Sequence, residues 1–316
     1  MSTSHSPNII IAGSLNADLV QRIERIPRPG ETLTGSELTI IPGGKGANQA
    51  FAAALLGGVV AMVGQVGSDP FGPTLVNNLQ NAHVDTSRVR VTSGATGTAA
   101  IFVLPSGENI IILSPGANGS FTPEIAAPLL DSLGPASILL AQLEVPLSTT
   151  AASLRLARHR GAITILDPAP AQTLPPDHLA LVDFLTPNQS EAALLLKAKQ
   201  EVDCYESAEQ AATELRHRGP ANVILKLGPL GVVIATAAGT LRVPSFPVTA
   251  VDSTAAGDTF NGAFAVALAE RKPLEEAARF ANAAAALSVT RQGAQSSIPT
   301  RAEVDAFLSS RRTGDA

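Results

Sequence analysis

The chain has 316 residues, 45% of them hydrophobic, interrupted along its length by 26 glycines and 23 prolines. That is enough apolar material for a packed core and unlike a disordered chain. The formal charge is −5, and Lys and Arg cluster only in short pieces such as Arg271-Lys272 and Arg311-Arg312, which argues against a nucleic-acid or anionic-membrane partner. A single cysteine, Cys204, cannot form an internal disulfide, and neither C-x-x-C nor H-E-x-x-H occurs, so no protein-built zinc site is expected.

The length exceeds the roughly 150 residues of an average domain, but α/β folds commonly hold more, so one domain spanning 1–316 is expected. The N-terminal stretch MSTSHSPNIIIAGSLNADLV lacks a basic segment, and its apolar run at 9–12 is too short for a signal peptide or membrane span. With only one cysteine, this points to the cytoplasm. The run at 8–12 reads as the first strand, and Asn16-Ala17-Asp18 follows it directly. Ligands of open α/β sheets sit beyond the carboxyl ends of strands, where an Asp accepts from adjacent hydroxyls and an Asn both donates and accepts. The alternative is an Asx-turn at a strand end.

Residues 15–41 and 88–113 carry short alternating stretches, TLTGSELTI and TGTAAIFVLPSGENIIIL, expected to form a small antiparallel sheet built from insertions and used as a lid or dimer surface. Between them, Pro42-Gly43-Gly44-Lys45-Gly46-Ala47-Asn48-Gln49 leads into a helix over 47–56. It departs from a Walker A loop, yet its glycines expose backbone N–H groups while Lys45 and Asn48 offer donors suited to hydroxyls; a mobile turn with a solvated lysine is the alternative.

Further apolar runs at 59–66, 138–142, 163–166, 184–186 and 223–227 alternate with helix-spaced segments such as 148–160 and 208–218. This pattern predicts a doubly wound α/β fold, a mainly parallel sheet flanked by helices, with the small sheet as a lid. Glu144 ends one strand, in AQLEVP. Asn188 and Glu191, after another, fit either a capping box or a metal or phosphate role. Lys226-Leu227-Gly228-Pro229-Leu230-Gly231 makes a turn suited to nucleotide contact or to a plain hairpin.

From 256 onward the pattern is helical, over 256–270, 274–290 and 301–309, with tails at 1–6 and 311–316 expected to be disordered. In DSTAAGDTFNG, Asp252, Ser253 and Thr254 are capping residue types, and the N–H groups of Ala255, Ala256 and Gly257 would point out of a helix start where the dipole favours an anion. Asp258, in the first turn, either complements that dipole or acts as a general base beside an anion hole.

The order Asn16-Ala17-Asp18, GGKGANQA at 43–50, Glu144, DPAPA at 167–171, Asn188 to Glu191 and AVDSTAAGDTFNGA at 250–263 resembles the PfkB carbohydrate kinase family over about residues 8–309. The resemblance implies that Asp258 deprotonates a sugar hydroxyl and that Ala255, Ala256 and Gly257 hold the transferring phosphoryl group. It implies sugar contacts from Asn16, Asp18, Gly43, Gly44, Lys45, Asn48 and Glu144. Asn188, Lys226, Leu227, Gly228, Gly231, Gly257 and Asn282 would face ATP, with Glu191 organising Mg²⁺ through water. A potassium site would map onto Asp252, Thr254, Ser288, Arg291, Gly293 and Ser297, mostly through carbonyls. Lys226 stands where the family's turn has Thr, Asn282 where relatives have His, and Ala255 where Gly is common. The implied reaction is ATP-dependent phosphorylation of D-ribose at O5 by a homodimer joined through its lids. A kinase for 2-deoxyribose or a nucleoside is the first alternative, and a non-catalytic sugar or nucleotide sensor the second.

Overall fold

The computed structural model describes residues 8–198 and 202–312. The chain opens with β1 (Ile9–Ala12), β2 (Asn16–Arg22) and β3 (Thr39–Gly43), which passes through Gly44 into α1 (Lys45–Leu55). Next come β4 (Val60–Gly67), α2 (Phe71–Asn81), β5 (Asp85–Thr92), β6 (Gly97–Val103), β7 (Asn109–Ser114) and a 3-10 turn (Gly116–Ser120). The middle alternates: α3 (Pro123–Leu129), β8 (Ile138–Ala141), α4 (Leu147–His159), β9 (Ile163–Leu166), α5 (Pro176–Leu179), β10 (Phe184–Leu185), α6 (Gln189–Leu196), α7 (Tyr205–His217) and β11 (Asn222–Lys226). A hairpin, β12 (Val232–Thr236) and β13 (Gly239–Val243), precedes α8 (Ala256–Ala269), α9 (Leu274–Ser288) and α10 (Arg301–Arg312).

Nine strands form one sheet in the order β13-β12-β11-β10-β9-β8-β1-β4-β5, parallel except where β12 and β13 join antiparallel. The inner strands such as β1 and β8 are continuously apolar because both faces are covered. Alternate residues separate cleanly: Ile9, Ile11, Met62 and Ile224 enter the core under α1, α2, α8 and α9, while Ile10, Ala12, Val63, Val223 and Leu225 enter the core under α3, α4, α6 and α7. The chain leaves β1 toward β4 on one side and reaches β8 on the other, so a crevice opens beyond the carboxyl ends of these strands.

The second sheet has the order β3-β2-β6-β7. It differs from the expected lid in two ways. Residues 88–92 belong to β5 at the edge of the large sheet, because β5 continues the parallel register of β4. The small sheet is also mixed, since β2 and β6 pair parallel, the chain having crossed the large sheet between them. Only Thr39–Gly43 of the alternating TLTGSELTI stretch and its continuation pairs as a strand. Of the tails expected at 1–6 and 311–316, residues 1–6 and 313–316 lie outside the described residues, whereas 311 and 312 extend α10 instead.

Candidate active site

Five strand ends converge on the crevice. Beyond β1 come Ser14 and Asn16, beyond β8 Gln142 and Glu144, beyond β9 Asp167, beyond β10 Asn188, and β11 ends in Lys226. Two helices complete it. Gly262 allows α8 to lie directly on α1, since a Cβ there would stand 2.8 Å from Ala52 Cβ and 2.8 Å from the Gln49 carbonyl oxygen. One turn earlier on α8, that approach brings Asp258 against Asn48 and Gln49: the Asn48 amide donates to Asp258 Oδ2 at 3.0 Å and the Gln49 amide to Oδ1 at 3.0 Å.

Asp258 is 5% exposed. Burial raises its pKa to about 6, aided by the Asp167 carboxylate and opposed by Lys45 and the two amides. A carboxyl poised there suits a base that must take a proton near neutrality. Asp18, on β2, is pushed up to about 7 by burial, then by Glu144 and Asp258, with Lys45 working the other way. Burial disfavours the Lys45 ammonium, but Asp258, Asp167, Glu144 and Glu191 surround it and hold its pKa above the ordinary lysine value. Lys45, with Lys226 beside Asp167, lets this many carboxylates share one pocket.

Asn16, Asp18, Gly43, Gly44, Lys45, Asn48, Glu144 and Asp258 are brought together as expected. Asn16 pairs with Gly43 across β2 and β3. Glu144 Oε2 gathers the Ser14 hydroxyl at 2.6 Å, the Lys45 N–H at 3.0 Å and the Asn16 amide at 3.4 Å. All these groups can grip a small polyhydroxyl molecule on the side of Asp258 facing the small sheet.

On the other side are two adjoining cavities. One, about 510 Å³, is lined by Lys45, Asp167, Asn188, Glu191, Lys226, Gly228 and residues 255–258. The other, about 310 Å³, is mainly apolar and lined by Gly228, Gly231, Val248, Asn282, Ala285, Val289 and neighbours, with Lys226, Ser253, Ala256 and Gly257 shared between the two. A polar cavity at a helix start opening into an apolar slot matches a phosphate chain followed by a flat base. Ala255 has φ 59°, a left-handed turn that starts α8.

The structure corrects several details of the nucleotide side. The Ala256 N–H is not free but donates to the Ser253 carbonyl at 3.2 Å, because the tight turn at Ala255 folds the chain back. Leu227 is 2% exposed, belongs to the core and lines neither cavity. Asn282 reaches the apolar slot but donates to the carbonyls of Val243 and Pro244, at 3.0 and 3.1 Å, so its amide end fastens the end of β13. Asn188 and Glu191 do form the capping box: the Glu191 N–H donates to Asn188 Oδ1 and the Asn188 N–H to Glu191 Oε2, both at 2.8 Å. Both also line the phosphate-sized cavity. Burial raises the Glu191 pKa, against the pull of Lys226.

Of the residues expected around potassium, Asp252 binds the Thr254 N–H and hydroxyl at 2.9 and 2.6 Å and the Gly293 N–H at 2.9 Å. Ser288 and Ser297 are buried with hydroxyls donated to Ala285 and Ala294, and the Arg291 side chain turns to Glu303. Among the described residues, no group of three or more His, Cys, Asp and Glu gathers closely enough to hold a metal unaided.

Sequence reasoning gave no role to Gln49 and Asp167, though both lie within quoted motifs. The Gln49 amide donates to Asp167 Oδ2 at 2.9 Å as well as to Asp258, and Lys226 Nζ reaches Asp167 Oδ1 at 3.1 Å. Asp167 follows a strand directly, a position that could have singled it out. Gln142, directly after β8, shares that position, whereas Ser14 and Asn118 carried no such signal.

A family model described as pfkB family carbohydrate kinase matches residues 6–301. The chain is 43% identical to ribokinase of Haemophilus influenzae over 95% of this chain and 98% of that one. It is 35% identical to deoxyribokinase of Salmonella typhi over 96% and 99%. Among solved structures, ribokinase from Thermotoga maritima superposes with a TM-score of 0.86 at 41% identity, covering 96% of this chain and 99% of that chain. Arabidopsis thaliana ribokinase complexed with ribose and ATP gives 0.89 at 34% identity, with the same coverage. The match of sequence, fold and site order over nearly the whole length shows that this chain belongs to the pfkB family of carbohydrate kinases.

Proposed function

We propose that the chain transfers the γ-phosphoryl group of ATP to the 5-hydroxyl of D-ribose. The observation that carries this is the place of Asp258: both its oxygens are fixed by Asn48 and Gln49, with a hydroxyl-gripping pocket on one side and a helix start lined for phosphate on the other. In-line transfer needs the attacking oxygen, the base and the phosphoryl group held together. Here Asn16, Asp18, Lys45 and Glu144 orient the sugar, Asp258 takes the hydroxyl proton, and the N–H groups of Ala255 and Gly257 receive the charge on the phosphoryl oxygens. Ribokinase relatives, including the ribose- and ATP-bound Arabidopsis protein, support the substrate choice.

The oxygen donors Asp167 and Glu191 across the phosphate-sized cavity suit Mg²⁺. With Glu191 engaged in its capping box, water is the natural link. Mg²⁺, when bound, neutralises phosphate charge. A monovalent cation such as potassium, held mostly by backbone carbonyls, would brace the loop where Asp252 already accepts from the Thr254 and Gly293 N–H groups. A homodimer joined through the small sheets accounts for the exposed Leu38, Ile40, Ile111 and Ile112; a monomer in sedimentation would remove that reading. Cytoplasmic location fits the single cysteine.

A kinase for 2-deoxyribose is the second reading, favoured by the deoxyribokinase relative. A coupled ADP-release assay over D-ribose, 2-deoxyribose and nucleosides separates them. D-ribose is expected to give the highest kcat/KM, and a higher value for 2-deoxyribose would replace the first reading by the second.

A further inference from the structure

Asn118 lies in the 3-10 turn after β7, 1% exposed, on the far side of Asn16 from the crevice. The two ends of an asparagine amide are alike in shape, and only their partners tell them apart. Here the main chain decides. The Leu15 N–H can only donate, so it takes Asn118 Oδ1 at 3.1 Å; the Leu15 carbonyl can only accept, so it faces Asn118 Nδ2 at 3.1 Å. The second hydrogen of that Nδ2 goes to Asn16 Oδ1 at 2.8 Å. Asn16 thus keeps its oxygen toward Asn118 and its Nδ2 toward Glu144 Oε2, at 3.4 Å.

We propose that Asn118 is a positioning residue for the sugar pocket: by fixing the orientation of the Asn16 amide, it makes Asn16 present hydrogens rather than lone pairs to the sugar. The sugar group beside Asn16 is then an oxygen acting as acceptor, while Glu144 takes the complementary hydroxyl hydrogens. This rests on the sugar-pocket reading above. Gly97 is the third member. It pairs with Asn16 in the β2–β6 register, and a Cβ there would stand 2.2 Å from Asn118 Nδ2 and 2.4 Å from Asn16 Oδ1, inside the hydrogen bond itself.

The test compares steady-state kinetics and melting of Asn118→Asp, Gly97→Ala, Asn16→Ala and the double variant Asn16→Ala/Asn118→Asp. Asn118→Asp keeps size and one acceptor for Leu15 N–H but turns a second oxygen on two acceptors, so Asn16 must rotate. KM for D-ribose is expected to rise on the order of 10- to 100-fold, with kcat and KM for ATP held within about twofold. Gly97→Ala, which forces the Asn118 and Asn16 amides apart without adding charge, should give the same split even if Asn118→Asp folds poorly. The double variant should be no worse than Asn16→Ala alone. If Asn16→Ala itself leaves KM for D-ribose unchanged, the sugar-pocket reading falls and the role of Asn118 falls with it. If Asn16→Ala weakens the sugar while Asn118→Asp and Gly97→Ala do not, or if they lower kcat and both affinities alike, only the positioning role is overturned.

Discussion

The two sides of Asp258 recognise in opposite ways. Toward the small sheet, nearly every contact is a side chain of fixed chemistry, and Asn16, Asp18, Asn48 and Asp258 are each less than 10% exposed. Toward the nucleotide, the phosphate-sized cavity keeps charged walls in Lys45, Asp167, Glu191 and Lys226, but the slot beyond it is walled mostly by glycines, alanines, valines and main chain, and its Asn282 spends the amide on β13. A pocket of side chains selects by donor and acceptor, and leaving one partner unpaired is costly. A pocket of backbone and small residues selects by shape and tolerates changes of residue type.

Breaking the polar side should have the largest effect. Asp258→Asn is expected to cut kcat by roughly 10²- to 10⁴-fold with sugar binding retained; near-normal turnover would remove Asp258 as the base. The same carboxyl predicts an acid limb. A base works ionised, and burial has raised its pKa to about 6. Activity should therefore fall as pH drops through that value, approaching about tenfold per pH unit below it, and a flat kcat/KM profile from pH 7 to 5 would contradict the assignment. On the apolar side, Ala285→Leu projects into the slot from α9 and should raise KM for ATP by roughly tenfold while leaving KM for D-ribose alone. Equal effects on both substrates would mean that the two sides are not separate. Smallest is the cation behind the helix start: replacing potassium by sodium should lower kcat by a few-fold, on the order expected for a loop-stiffening ligand, and equal rates would count against that site.

The same contrast governs what could be read in advance. The large sheet was legible because its strands are apolar runs at regular intervals, and Asp258, Asn48, Lys45 and Asn16 because reactive residue types sat in compact motifs at strand or helix ends. The turn after β11 does open a hairpin, one of the two readings it allowed, but β13 was missed because it is short and mostly exposed, and α2 because its Pro73 and Gly72 suggest a loop. The membership of β5 in the large sheet depends on register with β4, which is non-local. The slot itself has no local signature: Val248, Ala285 and Val289 are ordinary apolar residues until α9 meets the chain after β13. Asn118 reaches Asn16 across 102 positions, a distance no motif spans.

The left-handed turn at Ala255 bears on how the catalyst divides its conformational work. A residue with a Cβ costs about 1 kcal/mol more than glycine in that conformation, and it also has fewer alternatives to wander into. The cradle at the start of α8 is therefore shaped once, when the chain folds, instead of being ordered anew in every catalytic cycle. Some global stability has been exchanged for a binding loop that is already in place when the nucleotide arrives.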